Sequence, residues 1–262
     1  MNNKKVVFVD VDQTLYDNRC KTLYPSTALA MKLLKENNID VFLATGRSIN
    51  TIGHLKEVMP YFKGLVTNNG QTVFVDNKII FENPIDKEIV KEFEEFANAN
   101  NIPIAYVGDF NTSANFLTEV SNIAFKNFQI HNVEVLDKNP FHHKFSVKQF
   151  WVFEENTLIT NFKDKFSKLE FINWPGKYGA DGVFKGASKV DGIKAVIDLY
   201  SYKYENTFAL GDGDNDITMF QVVNHSYCMG NGTEEAKKAA KYITDDIAND
   251  GFYNAVIDII KK

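Results

Sequence analysis

Short apolar runs that alternate with stretches of helical periodicity set the texture of the first third of the chain. Val6, Val7, Phe8 and Val9 lie between Lys4, Lys5 and Asp10, a pattern that predicts a short strand buried on both faces. Ser26 is placed to cap a helix running to about Asn37, with Ala30, Leu33 and Leu34 on one face. A second run, Val41 to Ala44, ends at Thr45, Gly46 and Arg47, and a further helix is expected over about Ile49 to Val58. Gly64 to Thr67 reads as a third strand, and Val73 to Val75 with Ile79 to Phe81 as a hairpin turning at Asp76 and Asn77. Strands alternating with helices predict a parallel sheet and an α/β class.

From Pro84 the pattern changes. Ile89, Phe93, Phe96 and Ala97 mark an amphipathic helix, and Ile104 to Val107 a strand. Phe145, Val147, Trp151 and Phe153 share a parity that predicts a long strand, followed by a helix over about Thr157 to Lys168 and a strand over Phe171 to Trp174. Ser113 to Lys144 has too little periodicity to assign. Regular alternation returns after Lys185. A helix is expected from Ser188 to about Tyr200, a strand over Phe208 to Gly211, a helix from Asn215 and a strand over Tyr227 to Met229. Further helices are expected near Glu234 to Ala240 and Phe252 to Ile260. The expected organisation is therefore a core of residues 1–83 and 186–262 interrupted by a mixed α/β insertion at 84–185. Insertions at a sheet edge cost little loop entropy, and one above a reactive edge could act as a lid.

Composition narrows the partners. The chain has 262 residues with 44% apolar positions, enough for a sizeable core, and a formal net charge of −5 that offers no basic footprint for nucleic acid or an anionic membrane. Cys20 and Cys228 stand apart and share no metal or redox motif, so two isolated buried thiols are expected. No apolar run is long enough for a bilayer, and Lys5 leads directly into the first strand without a signal-peptide pattern. The expectation is a cytoplasmic protein with small partners, neither nucleic acid nor membrane, and nothing in the chain identifies a protein partner.

The candidate chemistry lies at the strand ends. Asp10, Asp12 and Thr14 follow the first strand, and in open α/β sheets ligands bind beyond the carboxyl edge. Gly211, Asp212, Gly213, Asp214, Asn215 and Asp216 follow a later strand and precede a helix. Capping alone accounts for Asp214 or Asp216 as readily as function does. The cluster opens like a calcium-binding EF-hand loop, but Ile217 and Val223 occupy the positions that need Gly and Glu, which excludes that reading. Several carboxylates at one edge repel unless a cation compensates. Oxygen donors without His or Cys suit a hard ion such as Mg²⁺, with Asp10 and Asp212 as first candidates. Thr45, Gly46 and Arg47 could offer a hydroxyl and N–H groups to an oxyanion, although an ordinary strand–helix turn explains them better when they are taken alone. Lys189 follows Ser188, a capping-box-like site with Asp191, and a cation in the first helical turn opposes the helix dipole unless an anion lies beside it.

Asp10 to Leu15 resembles the D-x-D-x-T-[LV] signature of the haloacid dehalogenase (HAD) superfamily. Leu43 to Arg47, Lys189 and Gly211 to Asp216 resemble its other motifs in order, over the whole chain. Residues between Arg47 and Lys189 resemble the mixed α/β C2 cap (C2B) of the Cof-type sugar-phosphatase branch. Gln13 and Asp214 depart from the usual Gly and Glu without touching the two acids or Thr14. The resemblance implies a HAD-like Rossmannoid core and a Mg²⁺-dependent phosphatase for small phosphorylated metabolites. It implies that Asp10 is the nucleophile and forms a phosphoaspartate, while Asp12 is the general acid and base and gives its carbonyl to the metal. Thr45, Gly46, Lys189 and Asn215 would bind phosphate, Asp212 would bind metal, and Asp216 would support the metal through water. The cap would choose the leaving group. Phe141, His142, His143, Trp151, Trp174, Lys177 and Tyr178 could face it, though packing or solvation explains each one better. A phosphomutase and a non-catalytic phosphate sensor are the competing readings.

Overall fold

The computed structural model describes residues 3–127, 130, 133–136, 145–174 and 176–262. Phe141, His142 and His143 lie outside the described residues. Two compact units are formed, one by Met1–Arg47, Gly53–Glu82 and Ser188–Lys262, the other by Ser48–Ile52 and Asn83–Ala187.

Along the chain, the first unit opens with β1 (Val6–Val9), α1 (Pro25–Glu36), β2 (Asp40–Ala44), β3 (Gly64–Thr67), β4 (Thr72–Val75) and β5 (Lys78–Glu82). The second unit holds α2 (Lys87–Ala99), β6 (Ile104–Val107), β7 (Thr112–Ala114), α3 (Glu119–Asn127), β8 (Glu134–Val135) and β9 (Gln149–Glu155). It continues with α4 (Asn156–Ile159), α5 (Phe162–Lys165), β10 (Leu169–Asn173) and β11 (Tyr178–Phe184). The first unit then resumes with α6 (Lys189–Tyr200), β12 (Thr207–Gly211), α7 (Ile217–Val222), β13 (His225–Cys228), α8 (Glu234–Ala239), β14 (Tyr242–Ile243) and α9 (Gly251–Lys261).

The first unit is α/β, with strand order β14-β13-β12-β1-β2-β3-β4-β5. Pairing is parallel from β14 to β3, and the β4–β5 hairpin adds an antiparallel edge. Asp76 and Asn77 turn that hairpin with φ of 49° and 59°, the geometry of a two-residue loop matched to strand twist. Val6 and Phe8 pack with Ile193 and Val196 of α6 and Met219 of α7. Val7 and Val9, which point the other way, are equally buried, so the expected two-sided burial of β1 is found. In the second unit the order is β10-β11-β9-β6-β7-β8. Phe93 of α2 anchors one face, its ring 4.7 Å from Phe150 and 5.0 Å from Phe166. Among the described residues no helix is long and apolar enough to cross a membrane.

Several local expectations are corrected. Pro25 occupies the first turn of α1 and Tyr24 the N-cap, so Ser26 lies inside the helix. The helix expected over 49–58 is instead a series of 3₁₀ turns at Ile49–Thr51, Gly53–Leu55 and Met59–Tyr61, because Gly53 and Pro60 interrupt a continuous α ladder. The 157–168 helix divides into α4 and α5, which lets Phe162 and Phe166 both turn into the aromatic core. β11 went unpredicted: Gly179 and Gly182 lower its strand propensity, yet β10 and β9 flank it. Cys228 is buried as expected, but Cys20 is exposed.

Candidate active site

Parallel register brings three strand ends to one edge, since Val9 pairs with both Leu43 of β2 and Leu210 of β12. Asp10, Thr45 and Asp212 are thereby the residues that step off the sheet beside one another. Asp10 still belongs to the ladder, its N–H donating to the Leu210 carbonyl at 3.0 Å. The chain then turns so tightly that the N–H groups of Thr14, Leu15 and Tyr16 all donate to the Val11 carbonyl.

Lys189 is the cation at the centre of the edge. Its Nζ donates to Asp10 Oδ1 and to Asp216 Oδ1, each at 2.6 Å, and its side chain is wholly buried. Asp10 and Asp216 are thus anions beside this first-turn cation, but the capping-box-like arrangement is not formed, because the Ser188 side chain makes no cap hydrogen bond. Gly70 determines where Lys189 can sit. At φ +87° it lies so close to the start of α6 that a Cβ there would fall 2.1 Å from the Ser188 carbonyl oxygen.

Asp216 combines capping with charge. Its Oδ2 accepts from the N–H groups of Asp212 and Gly213, both at 2.9 Å, while Oδ1 takes Lys189. A Cβ on Gly211 would stand 2.4 Å from that Oδ2, so only glycine admits the carboxylate there. Oδ2 of Asp216 thus shapes the loop that presents Asp212, while Oδ1 ties that loop to Lys189. Asp212 itself receives a hydrogen bond from Thr14 Oγ1 at 3.2 Å.

Asp12 sits in a different setting. Arg47 grips it with Nη2 on Oδ1 at 2.6 Å and Nε on Oδ2 at 2.8 Å, and Asn18 Nδ2 adds a third donor at 2.5 Å. Burial alone would raise the Asp12 pKa, but the Arg47 guanidinium and these hydrogen bonds hold it below the usual carboxylate range. Burial raises both Asp10 and Asp212, and repulsion among the acids raises them further, against the pull of Lys189. Burial also opposes the charge on Lys189, yet Asp10 and Asp216 overcome it and raise its pKa.

The remaining sequence candidates are placed as follows. Thr45 is fully buried, and its Oγ1 accepts from the Arg47 N–H at 3.1 Å. A Cβ on Gly46 would meet Asn69 Oδ1 at 2.9 Å, which brings Asn69 to this turn. Asn215 is half-buried in the Asp212 loop, and its side chain makes no hydrogen bond to the other candidates among the described residues. Asn18 and Asn69 belong to none of the sequence motifs, and Arg47 belongs to one only as the end of the Leu43 to Arg47 stretch, with no part assigned to its side chain. Arg47 stood beside Thr45 and Gly46, and Asn68-Asn69-Gly70 at the end of β3 is itself a left-handed turn signal, with φ of 51°, 53° and 87°.

Asp10, Asp212 and Asp216 each offer a carboxylate oxygen within 4.8 Å of the others. All three donors are hard oxygens, and the charge count fits a divalent cation. With all four ionised, Asp10, Asp12, Asp212 and Asp216 would outnumber Lys189 and Arg47 by two negative charges, the charge that a divalent cation would balance.

A model of the haloacid dehalogenase-like hydrolases matches residues 7–256. Among solved structures, one described as the HAD subclass IIB sugar phosphatase BT4131 is 27% identical, covers 97% of this chain and 98% of its own, and superposes with a TM-score of 0.87. Phosphoglycolate phosphatase 1 of Saccharolobus solfataricus is 24% identical over 267 residues, 98% of this chain and 96% of that protein. The Bacillus subtilis 5-amino-6-(5-phospho-D-ribitylamino)uracil phosphatase YcsE is 22% identical over 254 residues, 96% and 94% of the two chains.

Proposed function

The chain belongs to the haloacid dehalogenase-like hydrolases, in their Cof-type branch, and on that footing we propose that it is a Mg²⁺-dependent phosphatase of small phosphomonoesters, sugar phosphates or related metabolites. The observation that carries this reading is the division of labour between two neighbouring carboxylates. Asp10 is tied to the buried ammonium of Lys189, whereas Asp12 is gripped by Arg47 and remains partly open to solvent. Unequal surroundings for adjacent acids are how one site separates a nucleophile from an acid/base.

In this mechanism an Asp10 oxygen attacks phosphorus. The P–O bond to the alcohol breaks, and Asp12, which must first take up a proton against the Arg47 grip as substrate enters, passes that proton to the departing oxygen. Asp12, now a carboxylate, takes a proton from water as the water oxygen attacks the phosphoaspartate. The Asp10–phosphorus bond breaks, inorganic phosphate leaves, and both residues return to their starting forms. Lys189 and the Thr45 hydroxyl stabilise the phosphoryl oxygens, assisted by Gly46 N–H and Asn215. Asp10, the Asp12 carbonyl and Asp212 would hold Mg²⁺, and Asp216 would orient the Asp212 loop. When bound, the ion would supply charge compensation and alignment of the phosphoryl group.

Product analysis over a panel of phosphorylated metabolites, with and without Mg²⁺, tests the reading. Free inorganic phosphate released only with the metal is the expected result. An isomeric sugar phosphate would establish a mutase instead, and binding without turnover across the panel would establish a sensor.

A further inference from the structure

The turn that carries Asp12 adopts a backbone conformation that its own sequence disfavours. Gln13 has φ +61°, in the left-handed region where a Cβ crowds the backbone and glycine is at ease. Its N–H donates to the Tyr16 carbonyl at 2.8 Å, and its carbonyl accepts from Asn231 Nδ2 at 2.9 Å. The other end of the Asn231 amide is also used, Oδ1 accepting from the Ile247 N–H at 2.8 Å. Two residues further on, the Thr233 N–H donates to the Asp212 carbonyl at 2.9 Å. A single short loop after β13 therefore fastens both the backbone next to Asp12 and the backbone of Asp212.

We propose that Asn231 is a positioning residue for the acid/base. By holding the Gln13 carbonyl it keeps the turn left-handed, and it sets Asp12 in register with the Asp212 side of the site. Asn231 acts through the backbone and touches none of the reacting groups. The inference rests on the role given above to Asp12. It concerns the position at which Gln13 departs from the usual Gly of the motif, since a glycine there would hold the same φ without a tether.

The test uses Asn231→Asp, which keeps the acceptor for Ile247 and removes the donor to Gln13, alongside Asn231→Ala. Each is made in the wild-type and Gln13→Gly backgrounds. With Mg²⁺ present, kcat/KM is measured for an alkyl phosphate and for p-nitrophenyl phosphate, because an alkoxide needs a proton from Asp12 whereas p-nitrophenolate leaves without one. The alkyl ester should lose on the order of 10- to 100-fold, the scale of a slightly misplaced catalytic group, with p-nitrophenyl phosphate much less affected. The loss should shrink in the Gln13→Gly background. Equal losses on both esters, or the same loss in both backgrounds, would overturn the proposal. Thermal unfolding of the same four-way cycle reads the coupling without turnover, so a wild-type protein that hydrolyses nothing would fail the phosphatase reading alone. A smaller fall in Tm for Asn231→Ala in the Gln13→Gly background supports the tether, and strictly additive falls contradict it.

Discussion

Arg47 holds both oxygens of Asp12, through Nη2 at 2.6 Å and Nε at 2.8 Å, although the two residues are 35 positions apart in the chain. A fork of this kind fixes the plane of the carboxylate as well as its charge. Arg47→Lys keeps the charge and loses the fork, so kcat/KM should fall on the order of 10- to 100-fold while the fold survives. Arg47→Gln removes the charge that depresses Asp12, and the limb of the pH profile belonging to Asp12 should move upward. An unmoved limb in a correctly folded Arg47→Gln protein contradicts the assignment.

Lys189 lies between Asp10 and Asp216 with no exposure of its side chain. Lys189→Met would leave two buried acids without their cation, a change that typically costs about 3–5 kcal/mol. Burial and the neighbouring carboxylates raise Asp10 in the folded state, and loss of Lys189 removes the pull that opposes them, so the Asp10 penalty appears as pH rises above the unfolded value and grows until the folded value is passed. Urea unfolding should therefore show a larger loss for Lys189→Met at pH 8 than at pH 5. A loss independent of pH would mean that the lysine serves packing alone.

The sequence exposed the parts of this arrangement that are local. Val6 to Val9 and Phe208 to Gly211 are apolar runs that end in acids, so the strands and the positions of Asp10 and Asp212 at their ends could be read directly. The burial of Lys189 could not, because it depends on Gly70 and Asp216, which only the folded sheet brings to the start of α6. The Arg47–Asp12 and Asn231–Gln13 links escaped for the same reason, since they join segments with no shared periodicity. β11 escaped for another: its glycines deny it a strand signal, and its pairing with β9 and β10 supplies what local propensity lacks.

Metal binding should be coupled to protons. Burial and mutual repulsion raise Asp10 and Asp212 above the ordinary carboxylate range, so a cation entering between them displaces protons at lower pH and none once both are ionised. The rise in Tm produced by a fixed Mg²⁺ concentration should accordingly increase with pH, and Asp212→Asn should remove most of it. A Tm shift that is flat with pH, or that survives Asp212→Asn, contradicts a site built on these two acids.

Away from the metal cluster, Asp17 is buried and receives Arg19 Nη2 at 2.8 Å and Tyr24 OH at 3.1 Å. Hydrogen bonds from Arg19 lower its pKa to about 2. Because this folded-state value is depressed, the stability it contributes is complete above the unfolded carboxylate value of about 3.9 and disappears as pH falls through about 2. The stability difference between wild type and Asp17→Asn should therefore be constant near neutrality and close as the solution is acidified. A difference that persists unchanged at the acid end would show that lost charge is not its origin.

Asp10 is the proposed nucleophile, and Asp10→Asn tests that role most directly. The variant keeps the shape of the side chain and an oxygen for Lys189, so its circular dichroism spectrum should match wild type. Phosphate release from any ester that the wild-type protein hydrolyses with Mg²⁺ should fall to background in that variant. Turnover by Asp10→Asn at the wild-type rate on the same ester would contradict the account.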